Sequence, residues 1–334
     1  MDESFFLLIL IIIAALGFGF SNGLNDAANA IATVIGSRVL SPRSAIIMAA
    51  LFNLIGTLSG VFLGAAVAKT IGKGIVMPEA ITMVTVFAGV TAAVIWVITA
   101  TYYGMPMSVS HSLVAGLLGA GISTAGVDVI AWATFSKVLL AVICAPLLGF
   151  IGGFGAMAVI MWLFRGSAPD RINGIFSYVQ VVAAAFVAYA HGKNDGQMPI
   201  GIIALALMLF YGSTGFDIPL WVILASAASV ALGIAIGGWQ VIRTVGTRIT
   251  TLRPVHGSAA ETSAAVVIEV ASNLGIPVST TQCISGSVMG VGATRRLSAV
   301  RWGVARTIVI TWIITFPICI GLGWLLSKVF GFIL

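Results

Sequence analysis

Long apolar runs, separated by short polar or charged segments, dominate the hydrophobic pattern of this chain. Ten runs lie near residues 4–36, 44–68, 80–101, 109–123, 132–164, 173–208, 218–241, 259–274, 282–293 and 304–330. Because a helix needs roughly 20 residues to cross a bilayer, most of these runs predict membrane-spanning helices. The runs 4–36, 132–164 and 173–208 are long enough to hold additional structure. The runs 109–123 and 282–293 are short and predict half-helices or re-entrant segments.

Composition indicates that lipid is the solvent. Of the 334 residues, 60% are hydrophobic and 8% are charged, whereas a soluble domain carries about 25% charged residues. The 39 glycines fit membrane helices, which pack closely through small residues. We therefore predict an all-α polytopic membrane protein in the cell (inner) membrane, with the lipid bilayer as its surroundings.

Two motifs occur twice, in the same order and at nearly the same separation. GLNDAANAIATVIG at 23–36 resembles GKNDGQMPIGIIAL at 192–205, so the Asn25-Asp26 and Asn194-Asp195 pairs lie 169 residues apart. GMPMSVSHSLVAGLLGAG at 104–121 resembles GIPVSTTQCISGSVMGVG at 275–292, with an offset of 171. The duplication predicts two repeats, residues 1–168 and 169–334.

The placement of basic residues indicates how the two repeats are oriented. Arg38 and Arg43 follow the first Asn-Asp motif, whereas the equivalent stretch 207–217 has no basic residue. After the second motif the bias reverses, because 122–134 has no basic residue and 294–306 has four arginines. Basic loops stay in the cytoplasm, so corresponding loops fall on opposite sides. This pattern predicts inverted-topology repeats of about five crossings each, 10–12 segments with broken helices counted, and both termini outside.

The net charge of +6 is explained by these basic residues at the ends of apolar runs. For that reason nucleic acid is not predicted as a partner. The sequence contains no Walker loop, no HExxH and no GxSxG, so neither an enzyme nor direct ATP hydrolysis is predicted. Inverted repeats recur in secondary transporters, whose substrate sites lie near the bilayer midplane between interrupted helices of both halves. Transport would then run downhill or be driven by an ion gradient.

The two aspartates of the Asn-Asp motifs are the first candidates for function. A carboxylate within a membrane segment is costly and marks a functional site by default. On a helix, residues 22, 25, 26 and 29 share one face, which offers several oxygen atoms and one negative charge to a hard monovalent cation. A polar seam that joins helices is the alternative. The predicted cation-binding residues are Ser21, Asn22, Asp26, Asn29 and Asp195.

The Gly-Pro-Ser motifs are the second candidates. Glycine and proline break or start a helix, and the serines and threonines that follow are good N-caps. A helix N-terminus offers free N–H groups and a positive dipole end, which together bind anions. Two such ends that met across a pseudo-twofold axis would hold a tetrahedral oxyanion. Ordinary capping after a proline turn is the alternative.

Several polar residues near the motifs have open roles. His111 could be a proton relay, an anion donor or a core residue, and Gln282 occupies its place in the second repeat. Lys193 could counter Asp195 or the anion, or extend to the surface. Glu269 is a candidate ion or proton site, and Glu261 could face the cytoplasmic mouth. The accessory residues are His111, His191, Lys193, Glu269 and Gln282.

The segments GLNDAANA, AHGKNDGQ, PMSVSH and PVSTTQ resemble the inorganic phosphate transporter (PiT) family, in its compact bacterial or archaeal form. The resemblance covers nearly the whole chain and implies phosphate uptake coupled to a cation, a homodimer and a site shared by both halves. Three positions depart from the family pattern: Val109 stands where threonine is common, Lys193 where a small residue is common, and Gln282 where histidine is frequent. Relatives of the family also resemble sulfate carriers.

From the residues and the resemblance we predict a sodium-coupled phosphate symporter that works by alternating access. Na⁺ at Asp26 and Asp195 would offset the charge of phosphate in a site of low dielectric constant. Sodium is favoured because the neighbouring oxygen ligands have no proton affinity, and no other cofactor is expected. A proton-coupled phosphate or metal-phosphate symporter, a sulfate permease and an anion channel are the alternatives. The predicted phosphate-binding residues are Asn25, Ser108, Ser110, Asn194, Ser279, Thr280 and Thr281.

Overall fold

The structure is a computed structural model that describes residues 3–73, 76–77, 80–213 and 215–333. The helices of the first half are α1 (Glu3–Gly36), α2 (Pro42–Phe62), α3 (Ala66–Lys73), α4 (Met83–Tyr102), α5 (Val109–Ala125) and α6 (Trp132–Leu163). Those of the second half are α7 (Pro169–Asp195), α8 (Gln197–Tyr211), α9 (Leu220–Ile236), α10 (Trp239–Arg243), α11 (Pro254–Asn273), α12 (Thr280–Arg295) and α13 (Trp302–Ile333). A π-turn, Thr244–Arg248, follows α10, and 3₁₀ turns occupy Val127–Val129 and Leu297–Ala299.

The predicted all-α class is confirmed. Each apolar run coincides with one helix or with two consecutive helices, and the described ranges hold an isolated bridge, Val76–Ile130, but no longer strand. Within the described ranges, six helical segments are long and apolar enough to cross a membrane, with α7 and α8 counted as one. A further apolar pair, α9 with residues 239–248, is bent by 61°. The number of ten crossings, the inversion of the repeats and the outward termini stay predictions.

Local sequence explains where the helices begin and break. The hydroxyl of Ser41 caps α2, and Pro42 follows at the first helical position, where its missing N–H costs nothing. The long run 173–208 is divided at Gly196 into α7 and α8, although Gly196 keeps helical backbone dihedrals and the two helices form one long apolar segment. A Cβ atom at Gly196 would overlap the side chain of Thr57 in α2. The other two long runs form continuous helices, α1 with 34 residues and α6 with 32.

The order of elements in the second half repeats that of the first. The helices α7 and α8 together correspond to α1, and α9 to α13 correspond to α2 to α6. Each half packs against the other in a reciprocal manner: α1 contacts α9 while α7 contacts α2, and α5 contacts α13 while α12 contacts α6. The predicted boundary between residues 168 and 169 falls between α6 and α7. The helices that carry the Asn-Asp motifs, α1 and α7, are therefore both held by helices of the opposite half.

Glycines allow this close packing beside both Asn-Asp motifs. A Cβ atom at Gly23 would overlap the carbonyl oxygen of Val230 in α9. At Gly192 it would overlap the carbonyl oxygen of Asn53 in α2. Small residues let helix backbones approach in this way within a membrane. The two glycines therefore fix how deeply α1 and α7 sit in the centre of the molecule.

Candidate functional site

The aspartates of the two Asn-Asp motifs meet in the centre of the protein. Asp26 of α1 is 2% exposed and Asp195 of α7 is fully buried. The hydroxyl oxygen of Thr280, in the first turn of α12, lies 3.1 Å from Asp26 Oδ2 and 3.0 Å from Asp195 Oδ2. The structure therefore brings both predicted coupling carboxylates to the N-terminus of one helix.

Both Gly-Pro-Ser motifs fold in the same way to place such helix ends. The helices α4 and α11 end before Gly104 and Gly275, whose φ angles of 67° and 68° are conformations that favour glycine. After each turn a serine caps the next helix: Ser108 accepts from the N–H of His111 (3.2 Å), and Ser279 accepts from the N–H of Gln282 (3.3 Å). The capping predicted for these serines is thus observed, and α5 and α12 both begin at the buried carboxylates.

Two hydroxyl groups at the start of α12 contact Asp26. The Thr281 hydroxyl donates to Asp26 Oδ1 over 2.9 Å. The amide of Asn29, one turn along α1 from the carboxylate, donates to the hydroxyl oxygens of Thr280 and Thr281, each over 3.0 Å. Because each hydroxyl carries one proton, Thr280 can donate to only one of its two neighbouring carboxylates at a time.

The start of α5 contributes less to the cluster. The Ser110 hydroxyl lies 3.4 Å from Asp195 Oδ1 and 3.2 Å from the carbonyl oxygen of Val278. Val109 occupies the position of Thr280 in the first repeat and has no hydroxyl to offer. The two helix ends are therefore equivalent in backbone but different in chemistry, and the second repeat supplies most of the hydroxyl donors.

His191 lies between the two carboxylates. Its Nε2 atom is 3.3 Å from Asp195 Oδ2 and 3.6 Å from Asp26 Oδ2. One ligand atom from each of these three buried residues lies within 4.8 Å of the others, a spacing at which they could hold a metal ion. The sequence predicted only an accessory role for His191, whereas the structure places it at the centre of the cluster.

Sequence reasoning missed Asn53 of α2, which supports this histidine. The Nδ2 atom of Asn53 lies 2.6 Å from His191 Nδ1, and both side chains are buried. With the amide nitrogen toward the ring, Nδ1 accepts and the proton of a neutral imidazole sits on Nε2, which faces the carboxylates. An asparagine within the apolar run 44–68 was the signal that could have indicated this role.

The charges of the cluster do not balance without a further positive group. Two buried carboxylates within reach of one hydroxyl repel each other, and burial disfavours each charge. The imidazole of His191 supplies at most one positive charge. The oxygen atoms of Asp26, Asp195, Thr280 and Thr281 are hard donors that suit a cation such as Na⁺. The arrangement can therefore bind a cation, and the dipoles of α5 and α12 add a positive potential that suits an anion.

Asn25 and Asn194, whose role in binding phosphate stays a prediction, use their amide nitrogens to join neighbouring helices. The amide of Asn25 donates to Thr101 at the end of α4 over 2.8 Å. The amide of Asn194 donates to Ser272 at the equivalent place in α11 over 2.9 Å. The structure thus shows them tying α1 to α4 and α7 to α11, while no described residue pairs with either amide oxygen.

Two other predicted cation ligands lie N-terminal to Asp26 in α1. The Ser21 hydroxyl donates to the carbonyl oxygen of Phe18, within its own helix. Asn22 is fully buried, and neither atom of its amide has a hydrogen-bond partner among the described residues. Asn22 occupies the place that His191 has in the second repeat, four residues before the aspartate. It is therefore a free polar group beside the cluster.

The accessory residues have different surroundings from those considered in the sequence. Lys193 forms an ion pair with Glu269 and donates to Asn273 over 2.8 Å, so it neither counters Asp195 nor extends to the surface. Glu269 accepts from this lysine through one carboxylate oxygen, and its role as an ion or proton site stays a prediction. Glu261 is fully buried and accepts from the hydroxyl of Thr33, instead of facing a mouth of the protein.

His111 and Gln282 are both fully buried but differ in what they face. The ring of His111 lies 5.4 Å from that of Phe316, and neither of its nitrogens has a partner among the described residues. Gln282 lines an apolar groove between α6 and α13. Neither side chain is hydrogen-bonded to the central cluster, and their accessory role stays a prediction.

Comparisons with known proteins agree over almost the whole chain. A family model described as "Phosphate transporter family" matches residues 22–323. A protein of Rhizobium meliloti named "Probable low-affinity inorganic phosphate transporter" is 42% identical over 315 residues, which cover 94% of this chain and 93% of that protein. A protein of the same name from Bacillus subtilis is 43% identical over 326 residues, or 97% of each chain. A solved structure named "The sodium-dependent phosphate transporter" has a TM-score of 0.91 and 27% identity, covering 98% of this chain and 100% of that one.

Proposed function

This chain belongs to the phosphate transporter family, and from that premise we propose that it is a sodium-coupled symporter of inorganic phosphate. It is a multi-pass membrane protein, and its relatives are named as transporters rather than enzymes. The observation that carries the proposal is the position of Thr280, whose single hydroxyl lies within hydrogen-bond distance of both Asp26 and Asp195. The similar structure named as sodium-dependent supports the choice of ion.

Competition for hydroxyl protons explains how cation and anion would be coupled. Without a cation, Thr280 and Thr281 donate their protons to the carboxylates. A Na⁺ ion between Asp26 and Asp195 would be coordinated by carboxylate oxygens and by the hydroxyl oxygens of the threonines. Their protons would then be free to point to a phosphate oxygen, since a hydroxyl is both a donor and an acceptor. Sodium binding would thus create the donors that phosphate needs.

Charge gives a second reason for coupled movement. Phosphate beside two ionised carboxylates in a buried site would be strongly disfavoured, and cations remove that repulsion. Conversely, the anion offsets the charge of the cations in a region of low dielectric constant. The loaded cluster would therefore change its exposure from one side to the other only when cation and phosphate are both bound, and the empty cluster would return. This behaviour is alternating access.

The carboxylates also favour phosphate over sulfate. Hydrogen phosphate carries an O–H group, whereas sulfate at neutral pH carries none. Asp26 and Asp195 accept hydrogen bonds but donate none when ionised. A protonated oxygen of phosphate can therefore donate to a carboxylate at this site. A sulfate oxygen has no proton to donate, so it would place one acceptor against another. Buried carboxylates also disfavour an anion channel, because they repel a passing anion.

Proton coupling is the second candidate, and His191 is the observation that favours it. The imidazole contacts both carboxylates and could carry the compensating positive charge itself. In that case a proton on His191 or on one carboxyl group would take the place of Na⁺. The inverted orientation of the two halves, the outward termini and the homodimer implied by the family resemblance remain further parts of the proposal.

Uptake of radiolabelled phosphate into proteoliposomes tests the proposal. We expect an inward Na⁺ gradient to drive accumulation, an equal K⁺ gradient to give none, and excess sulfate to compete poorly. Asp26→Asn and Asp195→Asn should each reduce uptake to the level of empty vesicles, whereas Asp128→Asn, at an exposed position, should leave it unchanged. Uptake driven by a pH gradient and indifferent to Na⁺ would replace sodium by protons. Sulfate uptake without phosphate uptake would contradict the assignment of phosphate as the substrate.

A further inference from the structure

A recess of about 730 Å³, partly open to solvent and lined by both polar and apolar surface, lies beside the turn at Gly104, away from the carboxylate cluster. It is lined by Tyr103, Gly104, Trp239, Gln240, Arg243 and Arg248. The two arginines are exposed, and no carboxylate among the described residues lies within ion-pair distance of either guanidinium group. The recess therefore holds two uncompensated positive charges and the amide of a glutamine.

The backbone of residues 237–248 makes the two arginines line the same recess. After the 61° bend that follows α9, the short helix α10 passes into the π-turn Thr244–Arg248. In an α-helix, residues five apart are separated by roughly 140° around the axis. A π-turn, which bonds residue i to i+5, brings such residues closer to one face. Arg301 donates to the backbone carbonyls of Thr247 and Arg248, which fixes the end of this turn.

We propose that this recess binds a phosphate oxyanion at a second site, separate from the carboxylate cluster. Guanidinium groups bind phosphate oxygens through paired, charge-assisted hydrogen bonds, and two of them can contact different oxygens of one tetrahedral group. The Gln240 amide adds a neutral donor. The ligand is either free inorganic phosphate or the phosphomonoester headgroup of a lipid such as phosphatidic acid, because both present the same group.

The general preference for basic residues at cytoplasmic ends does not by itself explain this recess. That preference requires positive charge near the membrane surface, but not that two arginines and an amide line one cavity. The equivalent place in the other repeat shows the difference. The recess beside Gly275 has a volume of about 430 Å³ and contains one basic residue, Lys137, with Thr70 and Thr134. It offers a matched control within the same chain.

The recess is connected to the turn that leads into the central site. The hydroxyl of Thr244, the first residue of the π-turn, lies 3.0 Å from the carbonyl oxygen of Gly104. Four residues after Gly104, Ser108 caps α5, whose first turn reaches Asp195 through Ser110. An oxyanion held by the arginines would therefore lie against the loop that positions one of the two central helix ends.

The number of phosphate ions bound per chain tests the proposal. For the full-length, delipidated protein in detergent with saturating Na⁺, equilibrium dialysis with labelled phosphate should give two bound ions. The double variant Arg243→Gln/Arg248→Gln should lose one of them, with at least a tenfold weaker affinity. Lys137→Gln should retain both. Thr280→Val, which removes a donor of the central site, should lose the other ion and keep the ion of the recess. Failure of the transport mechanism and failure of the recess therefore give different results.

A second arm identifies the source of the phosphate group. The protein is titrated with phosphatidic acid and, as a control, phosphatidylcholine, and bound lipid is counted by native mass spectrometry. Phosphatidic acid bound by the wild type and lost in the double arginine variant assigns the recess to a headgroup, and free phosphate bound there assigns it to inorganic phosphate. Equal binding of both ligands by the wild type and the arginine variant, with unchanged elution on size-exclusion chromatography, would overturn the proposal.

Discussion

The hydroxyl oxygen of Thr280 lies 3.0 Å from Asp195 Oδ2, and the same oxygen is 3.1 Å from Asp26 Oδ2. One proton donor from α12 is thus shared by carboxylates of α1 and α7, which belong to opposite halves of the chain. Any ligand that changes the charge of the carboxylates also changes where this hydroxyl points. The relationship links a cation-binding group to an anion-binding helix end through a single atom.

Removal of the Thr280 hydroxyl should weaken the link between cation binding and phosphate binding. We expect Thr280→Val, which keeps the shape and removes the hydroxyl, to lower phosphate uptake at least tenfold. Hydrogen bonds to charged groups contribute about 1.5–3 kcal/mol, which corresponds to roughly one to two powers of ten. Thr280→Ser keeps the hydroxyl and should retain most of the uptake. Wild-type rates for the valine variant in proteoliposomes would remove Thr280 from the mechanism.

Asn53 should matter because it orients His191. In Asn53→Leu the ring nitrogen Nδ1 loses its buried partner, so the imidazole can rotate away from Asp26 and Asp195. We expect uptake to fall about tenfold while the protein remains monodisperse, since an unsatisfied buried group costs about 1–3 kcal/mol. Substitution of Leu51, an exposed residue of the same helix, by alanine should have little effect. If the leucine variant transports normally, the orientation of His191 is set by other contacts.

The packing of α7 on α2 should tolerate no side chain at Gly192. A Cβ atom there would overlap the backbone of Asn53, so Gly192→Val must push the two helices apart. Overpacking of this kind costs about 1–3 kcal/mol, and the displaced α7 carries Asp195. We expect a lower melting temperature in detergent and loss of uptake. Gly174→Val, in the same helix but with open space around it, should retain both properties.

We expect the ion pair between Lys193 and Glu269 to stabilise the fold rather than to take part in transport. Glu269→Gln alone leaves a lysine that is 4% exposed without its counter-charge, so we expect the melting temperature to fall. The double variant Lys193→Met/Glu269→Met removes both charges and should recover the melting temperature and the uptake of phosphate. A double variant that folds but does not transport would instead give these charges a role in ion movement.

Much of the fold was predictable because membrane helices depend on length and hydrophobicity, which are properties of the sequence alone. The ten apolar runs and the helix starts after Ser108 and Ser279 follow from local composition. The sequence indicated that the run 173–208 is long enough to hold additional structure, but not that it divides at Gly196. A Cβ atom at Gly196 would overlap the side chain of Thr57 in another helix, a contact that no local pattern contains.

The site was predictable in part for a similar reason. The motifs indicated the aspartates because the Asn-Asp pair is repeated, and the hydroxyls because they stand where a helix begins. In the structure, Thr280 contacts both Asp26 and Asp195, and Thr281 contacts Asp26. The direction of a side chain around its helix depends on the neighbouring helices. For this reason the sequence did not indicate that the amide nitrogen of Asn25 donates to Thr101, while the role of Asn25 in binding phosphate stays a prediction. The role of Asn53 was missed because it has no counterpart in the duplicated motifs.

The dependence of phosphate affinity on sodium tests the central claim most directly, because coupling of two ligands through a shared group is reciprocal. The dissociation constant of phosphate is measured by titration calorimetry at a series of Na⁺ concentrations, with choline keeping the ionic strength constant. We expect Na⁺ to tighten phosphate binding at least tenfold in the wild type, and to have no effect in Asp26→Asn. A wild-type affinity that stays constant across the Na⁺ series would contradict the account.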